Sequence, residues 1–114
     1  MAVNIYDTAN QLAKELPQTQ QFMNLQSSYA NLKKDVMAFN LFNQFNQLQE
    51  ELQKKQYSGE KVTEDEMKRI QDLAGKMDKM DAIKQLMASE QALNQLLVDM
   101  NEIITEPIRN LYKN

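Results

Sequence analysis

The sequence contains no cysteine and no histidine. Without cysteine there is no disulfide, no thiolate metal site and no cysteine nucleophile. Without histidine the commonest general base and the commonest zinc ligand are gone. Glycine and proline occur only twice each in 114 residues. So few helix breakers favour long helices over a turn-rich β fold. The two glycines, Gly59 and Gly75, stand alone, so no glycine-rich phosphate loop exists. No apolar run approaches the roughly 18 residues of a membrane span. The opening stretch MAVNIYDTANQLAKELP lacks a basic region followed by an apolar run, so no secretory signal is predicted. The net charge of −3 also weighs against condensed binding to nucleic acid phosphate or an anionic membrane surface. The expectation is a cytoplasmic protein with no cofactor, no bound metal and no catalytic residue, and therefore not an enzyme.

What the chain does have is apolar residues at helical spacing. The stretch Asp81 to Pro107 carries Ile83, Leu86, Leu93, Leu97, Met100 and Ile104 at alternating steps of three and four, with Glu90 in the same seam. Met87, Leu96 and Ile103 widen this stripe. Such a face spans about seven turns and needs other long helices to cover it, in this chain or in a second copy.

Upstream, the spacing predicts four more helices. Asn4 caps a helix over 5–16 with Ile5, Ala9, Leu12, Ala13 and Leu16 on one face, and Pro17 stops it. Thr19 caps a second over 20–33, built on Phe22, Leu25, Tyr29 and Leu32. The stripe then shifts phase, which a cap at Asp35 explains, although one bent helix also fits. Ala38, Leu41, Phe45, Leu48 and Leu52, flanked by Phe42, define a third helix over 36–57, whose aromatic first half should be the most heavily packed. Tyr57 to Lys61 forms the main loop, with Gly59 suited to a left-handed position after the helix. Thr63-Glu64-Asp65-Glu66 is a capping box that opens a fourth helix carrying Met67, Ile70, Leu73, Ala74 and Met77. The third and fourth helices thus form an αα-hairpin. Asp81 is the expected cap of the fifth helix. Pro107 ends or kinks that helix, and Ile108, Leu111 and Tyr112 form a tail able to dock back.

Few constellations suggest chemistry. Met67, Met77, Met80, Met87 and Met100 read as core or interface, or as an adaptable binding surface. Glu90 would suit a carboxylate-bridged metal site only alongside histidine, so it reads as a register-setting or solvent-facing residue. Glu64, Asp65 and Glu66 lack the ligand pattern of a calcium loop and read as caps. Glu50 with Lys54, and Glu51 with Lys55, read as a solvated face. Lys33-Lys34 and Lys54-Lys55 lack the further basic residues and clustered aromatics of a nucleic-acid surface.

The two ends of the chain carry a family resemblance. Asn4-Ile5-Tyr6-Asp7 with Ala9 and Leu12, and Asn101-Glu102-Ile103-Ile104 with Pro107, Leu111 and Tyr112, resemble the YheA branch of the bacterial YlbF/YmcA family. The Asp35 cap followed by Phe42 and Phe45, the Gln-rich third helix, the Gly59 turn and Glu90-Gln91 lie in the same order between them. The resemblance covers essentially the whole chain, and its motifs are packing and capping residues. It implies an all-helical cytoplasmic protein of Gram-positive bacteria, usually dimeric. It also implies kinship with regulators of competence, biofilm formation and sporulation that act in a complex influencing RNA processing by the endoribonuclease Y. Those relatives carry cysteines associated with an iron–sulfur cluster. This chain has none, so a cluster-dependent role does not carry over, and the family supplies no catalytic residue to transfer.

Together these readings predict an all-α antiparallel bundle of about five helices with a long C-terminal helix and a central αα-hairpin. Residues 1–114 are expected to form a single domain that dimerises. Leu41, Phe42, Phe45, Leu48, Leu52, Leu86, Leu93, Leu97, Met100 and Ile104 are the expected core, and Leu96 and Ile103 the expected contacts with a partner chain. The expected function is a non-enzymatic homodimeric adaptor or regulator acting through protein–protein contacts, with other regulatory proteins as partners and neither nucleic acid nor membrane. The alternative is a small holdase-type chaperone whose helical arms cradle apolar segments.

Overall fold

The computed structural model describes residues 3–113. The described residues are all-α, with no strand. Helix α1 spans Ile5–Glu15, followed by a 3-10 turn at Leu16–Gln18; α2 spans Gln20–Lys34, α3 Val36–Ser58, α4 Glu64–Met77 and α5 Asp81–Leu111.

Local chemistry accounts for the boundaries. The Asn4 side chain accepts a hydrogen bond from the Asp7 amide, satisfying one of the unpaired donors that open α1. Pro17 does not end the first helical segment outright. It sits inside the 3-10 turn, where a missing N–H is tolerated at the first positions. Thr19 links that turn to α2: its hydroxyl donates to the Leu16 carbonyl at 2.7 Å and accepts from the Phe22 amide at 3.2 Å. At Asp35 the backbone leaves the helical region (φ −93°, ψ 95°), and its carboxylate accepts from the Ala38 amide at 3.2 Å. The phase shift between the stripes of α2 and α3 is therefore a break between two helices rather than a bend in one.

The end of α3 is fixed by Gly59 at φ +78°. The Gly59 amide donates to the Gln56 carbonyl and the Glu60 amide to the Lys55 carbonyl, the paired bonds of a helix closed by a left-handed residue. After a short loop, Thr63 and Glu66 cap each other's backbone amides to open α4. The Lys55 ammonium of α3 binds the Glu66 carboxylate of α4, tying the two arms of the αα-hairpin together beside the loop.

Two boundaries of α5 differ from expectation. Asp81 is the first residue of the helix rather than its cap, and the Met80 carbonyl accepts the first helical bond, from the Lys84 amide. Asp81 acts instead by placing negative charge in the first turn. At the other end, α5 runs straight through Pro107 to Leu111. A proline there removes one backbone bond and crowds the carbonyl of Ile103. Across this turn the Arg109 guanidinium donates to the Glu102 carbonyl and to the Thr105 hydroxyl, which itself donates to the Asn101 carbonyl. This polar strap spans the proline turn. Ile108 and Leu111 consequently lie within the helix and Tyr112 just beyond its end; all three are exposed and do not fold back as a docking tail.

The chain gathers into two compact units. Ser28–Met87 holds the end of α2, the α3–α4 hairpin and the first two turns of α5. Every buried hydrophobic residue among the described residues lies here: Leu32, Ala38, Leu48, Leu73, Met77, Ile83 and Leu86. Tyr29 meets Phe39 edge-on with ring centroids 6.3 Å apart, and the Lys33 ammonium sits 4.5 Å from the Tyr29 ring centre. The aromatic half of α3 is less enclosed than its composition suggests. Phe39, Phe42 and Phe45 are half-buried, whereas the small Ala38 is fully buried at the start of the helix. The second unit comprises the chain up to Ser27 and from Ala88 onward, with α1, the start of α2 and the long remainder of α5. None of its described residues is buried.

Candidate interaction surface

Helix α5 is 31 residues long, or about 46 Å at 1.5 Å per residue. Along its part in the second unit, Ser89, Leu93, Leu96 and Met100 are half-buried. Toward its C-terminal end the apolar stripe is open. Leu97, Ile104, Ile108 and Leu111 fall within an arc of about 60° at 3.6 residues per turn, and they are 43%, 65%, 59% and 77% exposed. Tyr112 continues the stripe. These side chains present on the order of 500 Å2 of apolar surface, at the size where a patch on a monomer marks an interaction site.

Helix α1 shows the same pattern on a smaller scale. Ile5, Ala9, Leu12 and Leu16 share one face, with Asp7, Lys14 and Glu15 elsewhere, yet no residue of α1 is buried. An isolated helix of 11 residues is marginal in water and depends on packing of its apolar stripe. Both elements belong to the unit in which no described residue is buried.

The expected core residues divide three ways. Leu48 and Leu86 are buried; Leu41, Phe42, Phe45, Leu52, Leu93 and Met100 are half-buried; Leu97 and Ile104 are exposed. Of the two expected partner contacts, Leu96 is half-buried and Ile103 is exposed. Leu97 and Ile104 sit at the centre of the heptad seam, yet from Leu97 onward only Met100 and Thr105 are half-buried and the other described residues are exposed; Leu86, about five turns before Ile104 on the same face, is buried. Ile108, Leu111 and Tyr112 complete the open stripe; their helical spacing relative to Leu97 and Ile104 was readable, but Pro107 concealed that they extend one helix. Glu90 faces solvent. Met77 is buried and Met80 and Met100 half-buried, while Met67 and Met87 are exposed, so the methionines are neither all core nor all surface.

Concavities lie within Ser28–Met87. One, of about 400 Å3, is lined by Phe45, Ala74, Gly75, Met77, Asp78 and Met87. Another, of about 460 Å3, is lined by Met37, Leu41, Lys76, Lys79 and Met80. Neither brings together a nucleophile, a base and an oxyanion donor. The described residues hold no cluster of three or more acidic, histidine or cysteine side chains able to hold a metal, and no helix long and apolar enough to cross a membrane. The Glu66 carboxyl is held below the usual carboxylate range, chiefly by the hydrogen bond from Lys55 and further by those from Thr63. That is the signature of a structural clamp, since all three groups are spent on capping α4 and holding the hairpin.

Comparison with known proteins agrees with this architecture. The family described as "Control of competence regulator ComK, YlbF/YmcA" matches residues 5–109. A UPF0342 protein of Lactiplantibacillus plantarum is 50% identical over 114 residues, covering 100% of both chains. A second UPF0342 protein, from Pediococcus pentosaceus, is 46% identical, again over the whole of both chains. Among solved structures, a "Protein of Unknown Function (DUF964) from Bacillus stearothermophilus" superposes with a TM-score of 0.88 over 98% of each chain at 22% identity, a likeness of fold. With a match over nearly its whole length and full-length relatives at this identity, the chain belongs to the YlbF/YmcA family of competence-regulator-related helical proteins.

Proposed function

We propose that the protein is a cytoplasmic, non-enzymatic regulator that works as a homodimer through protein–protein contacts. The observation that carries this reading is the open apolar stripe of α5, Leu97, Ile104, Ile108 and Leu111, in a unit with no buried residue among those described. A unit without a core has little to offset the entropy of ordering its helices, and burying the stripe against a second copy supplies the missing apolar contact. Two facing stripes of on the order of 500 Å2 each reach the roughly 1,000 Å2 that is the lower bound for a biological interface. A two-fold arrangement lets the same patch serve both copies. Leu96 and Ile103 flank the seam as further contacts. Membership in a family described by control of a competence regulator favours a regulatory role over a catalytic one.

Affinity capture of the tagged protein from its native host, with mass spectrometry, tests the regulatory part. Recovery of a small reproducible set of RNA-processing or regulatory proteins is expected. Recovery of many unrelated unfolded chains would instead support a holdase that cradles apolar segments.

A further inference from the structure

The groove lined by Met37, Leu41, Lys76, Lys79 and Met80 lies wholly within Ser28–Met87, apart from the stripe of α5. Its floor is apolar. Met37 and Leu41 stand one turn apart on α3, and Met80 closes the other side from the corner between α4 and α5. Met37 is 68% exposed although it lies at the second position of α3, beside the fully buried Ala38. Lys76 and Lys79 also line the groove, three residues apart in sequence, and no acidic residue joins them. Among the described residues the one ion pair is Lys55 with Glu66, so neither groove lysine is held in an ion pair. The intervening Asp78 lines the other concavity. Two lysines thus stand beside an apolar floor, with Asp78 and Asp81 close to them in the sequence but not in the lining.

We propose that this groove docks an acidic amphipathic helix of a partner protein. Two methionines offer an adaptable apolar wall, the kind of surface that receives the apolar face of a helix. Met37 and Leu41, spaced i, i+4, match the spacing of apolar anchors on such a helix. The lysine pair selects the sign of its flank: glutamates beside the apolar stripe are attracted, lysines repelled. The volume of about 460 Å3 is within the range of ligand pockets, and the open trough suits side chains projecting from a helix. The proposal goes beyond dimerisation through α5 and stands or falls separately from it.

The test is fluorescence anisotropy with the full chain and a labelled synthetic helix bearing a leucine stripe flanked by glutamates. Saturable binding is expected, weakening as salt rises. Lys76→Glu with Lys79→Glu should weaken it about tenfold or more, while Lys54→Glu with Lys61→Glu, outside the groove, should leave it within about twofold. Circular dichroism checks that each variant is folded; if charge reversal prevents folding, Lys76→Gln with Lys79→Gln gives the same comparison with a smaller loss. Equal binding of a peptide with lysine in place of every glutamate would overturn the proposal. So would binding unchanged by the groove variants. A change of sedimentation in the folded groove variant, with no loss of peptide binding, would mark the groove as a contact between copies and overturn it as well.

Discussion

The two glycines provide opposite perturbations of the same hairpin. Gly75 lies inside α4, and a Cβ built there meets nothing within 4 Å. Gly75→Ala therefore removes the entropic disadvantage of glycine without steric cost, and is expected to stabilise by about 0.5–1 kcal/mol, the lower end applying because α4 ends at Met77. Gly59 also has open space around its would-be Cβ, but its φ is +78°. There the cost is internal to the residue: an L side chain in the left-handed region loses about 1–2 kcal/mol. Gly59→Ala should destabilise by that amount, with no contribution from packing. At about 4 °C of melting temperature per kcal/mol, the two variants should differ by about 8 °C, on opposite sides of the wild type. Thermal and urea unfolding followed by far-ultraviolet circular dichroism measure this directly. A Gly59→Ala protein as stable as the wild type would refute the left-handed end of α3. A destabilised Gly75→Ala protein would mean that α4 lacks the open helical surface described at that position.

The core predicts a further contrast: Leu48→Ala, at a buried position on α3, should cost about 2–5 kcal/mol in urea unfolding, whereas Gln49→Ala on the exposed face should stay within about 0.5 kcal/mol. Thr63→Ala removes the side-chain half of the α4 cap and should cost about 1 kcal/mol. The Glu66 carboxyl is held below its ordinary value of 4.5 by Lys55 and Thr63. Its stabilising contribution is therefore present above that ordinary value and fades as pH falls through the lower folded value. Glu66→Gln should flatten the acid limb of the stability–pH curve, and an acid limb identical to that of the wild type would show that the clamp carries no linkage.

Much of this fold is legible in the sequence because local rules and global packing agree there. Asn4, Asp35 and the Thr63–Glu66 box each start a helix, and Gly59 ends one, as their side-chain chemistry dictates. The hairpin follows from those stops alone. Periodicity is less decisive about which part of a stripe faces the interior. Leu97 and Ile104 occupy the middle of the α5 seam and are exposed, while Leu86, about five turns before Ile104 on the same face, is buried. Periodicity fixes the face of a helix but not how far along the helix that face is covered. Size misleads as well on α3, where the small Ala38 is buried and Phe42 and Phe45 are only half-buried. Pro107 reads as a stop, but α5 continues through it to Leu111, with the strap from Arg109 to Thr105 and Glu102 lying across that turn. The groove beside Met37 combines residues from α3 and from the corner after α4, a juxtaposition that no local spacing announces.

Sedimentation velocity over a range of concentrations, on wild type and on Ile104→Glu with Ile108→Glu, tests the central claim most directly. Both isoleucines are more than half exposed in the single chain, so their replacement leaves the buried contacts of Ser28–Met87 untouched. In a dimer they would place four carboxylates in a dry seam, at a cost of several kcal/mol unless neutralised or solvated. The expected result is a wild-type dimer at micromolar concentration and a folded, helical variant that sediments as a monomer. A wild type that remains monomeric at high micromolar concentration, or a variant that dimerises as tightly as the wild type, would contradict the assignment of the α5 stripe to a second copy.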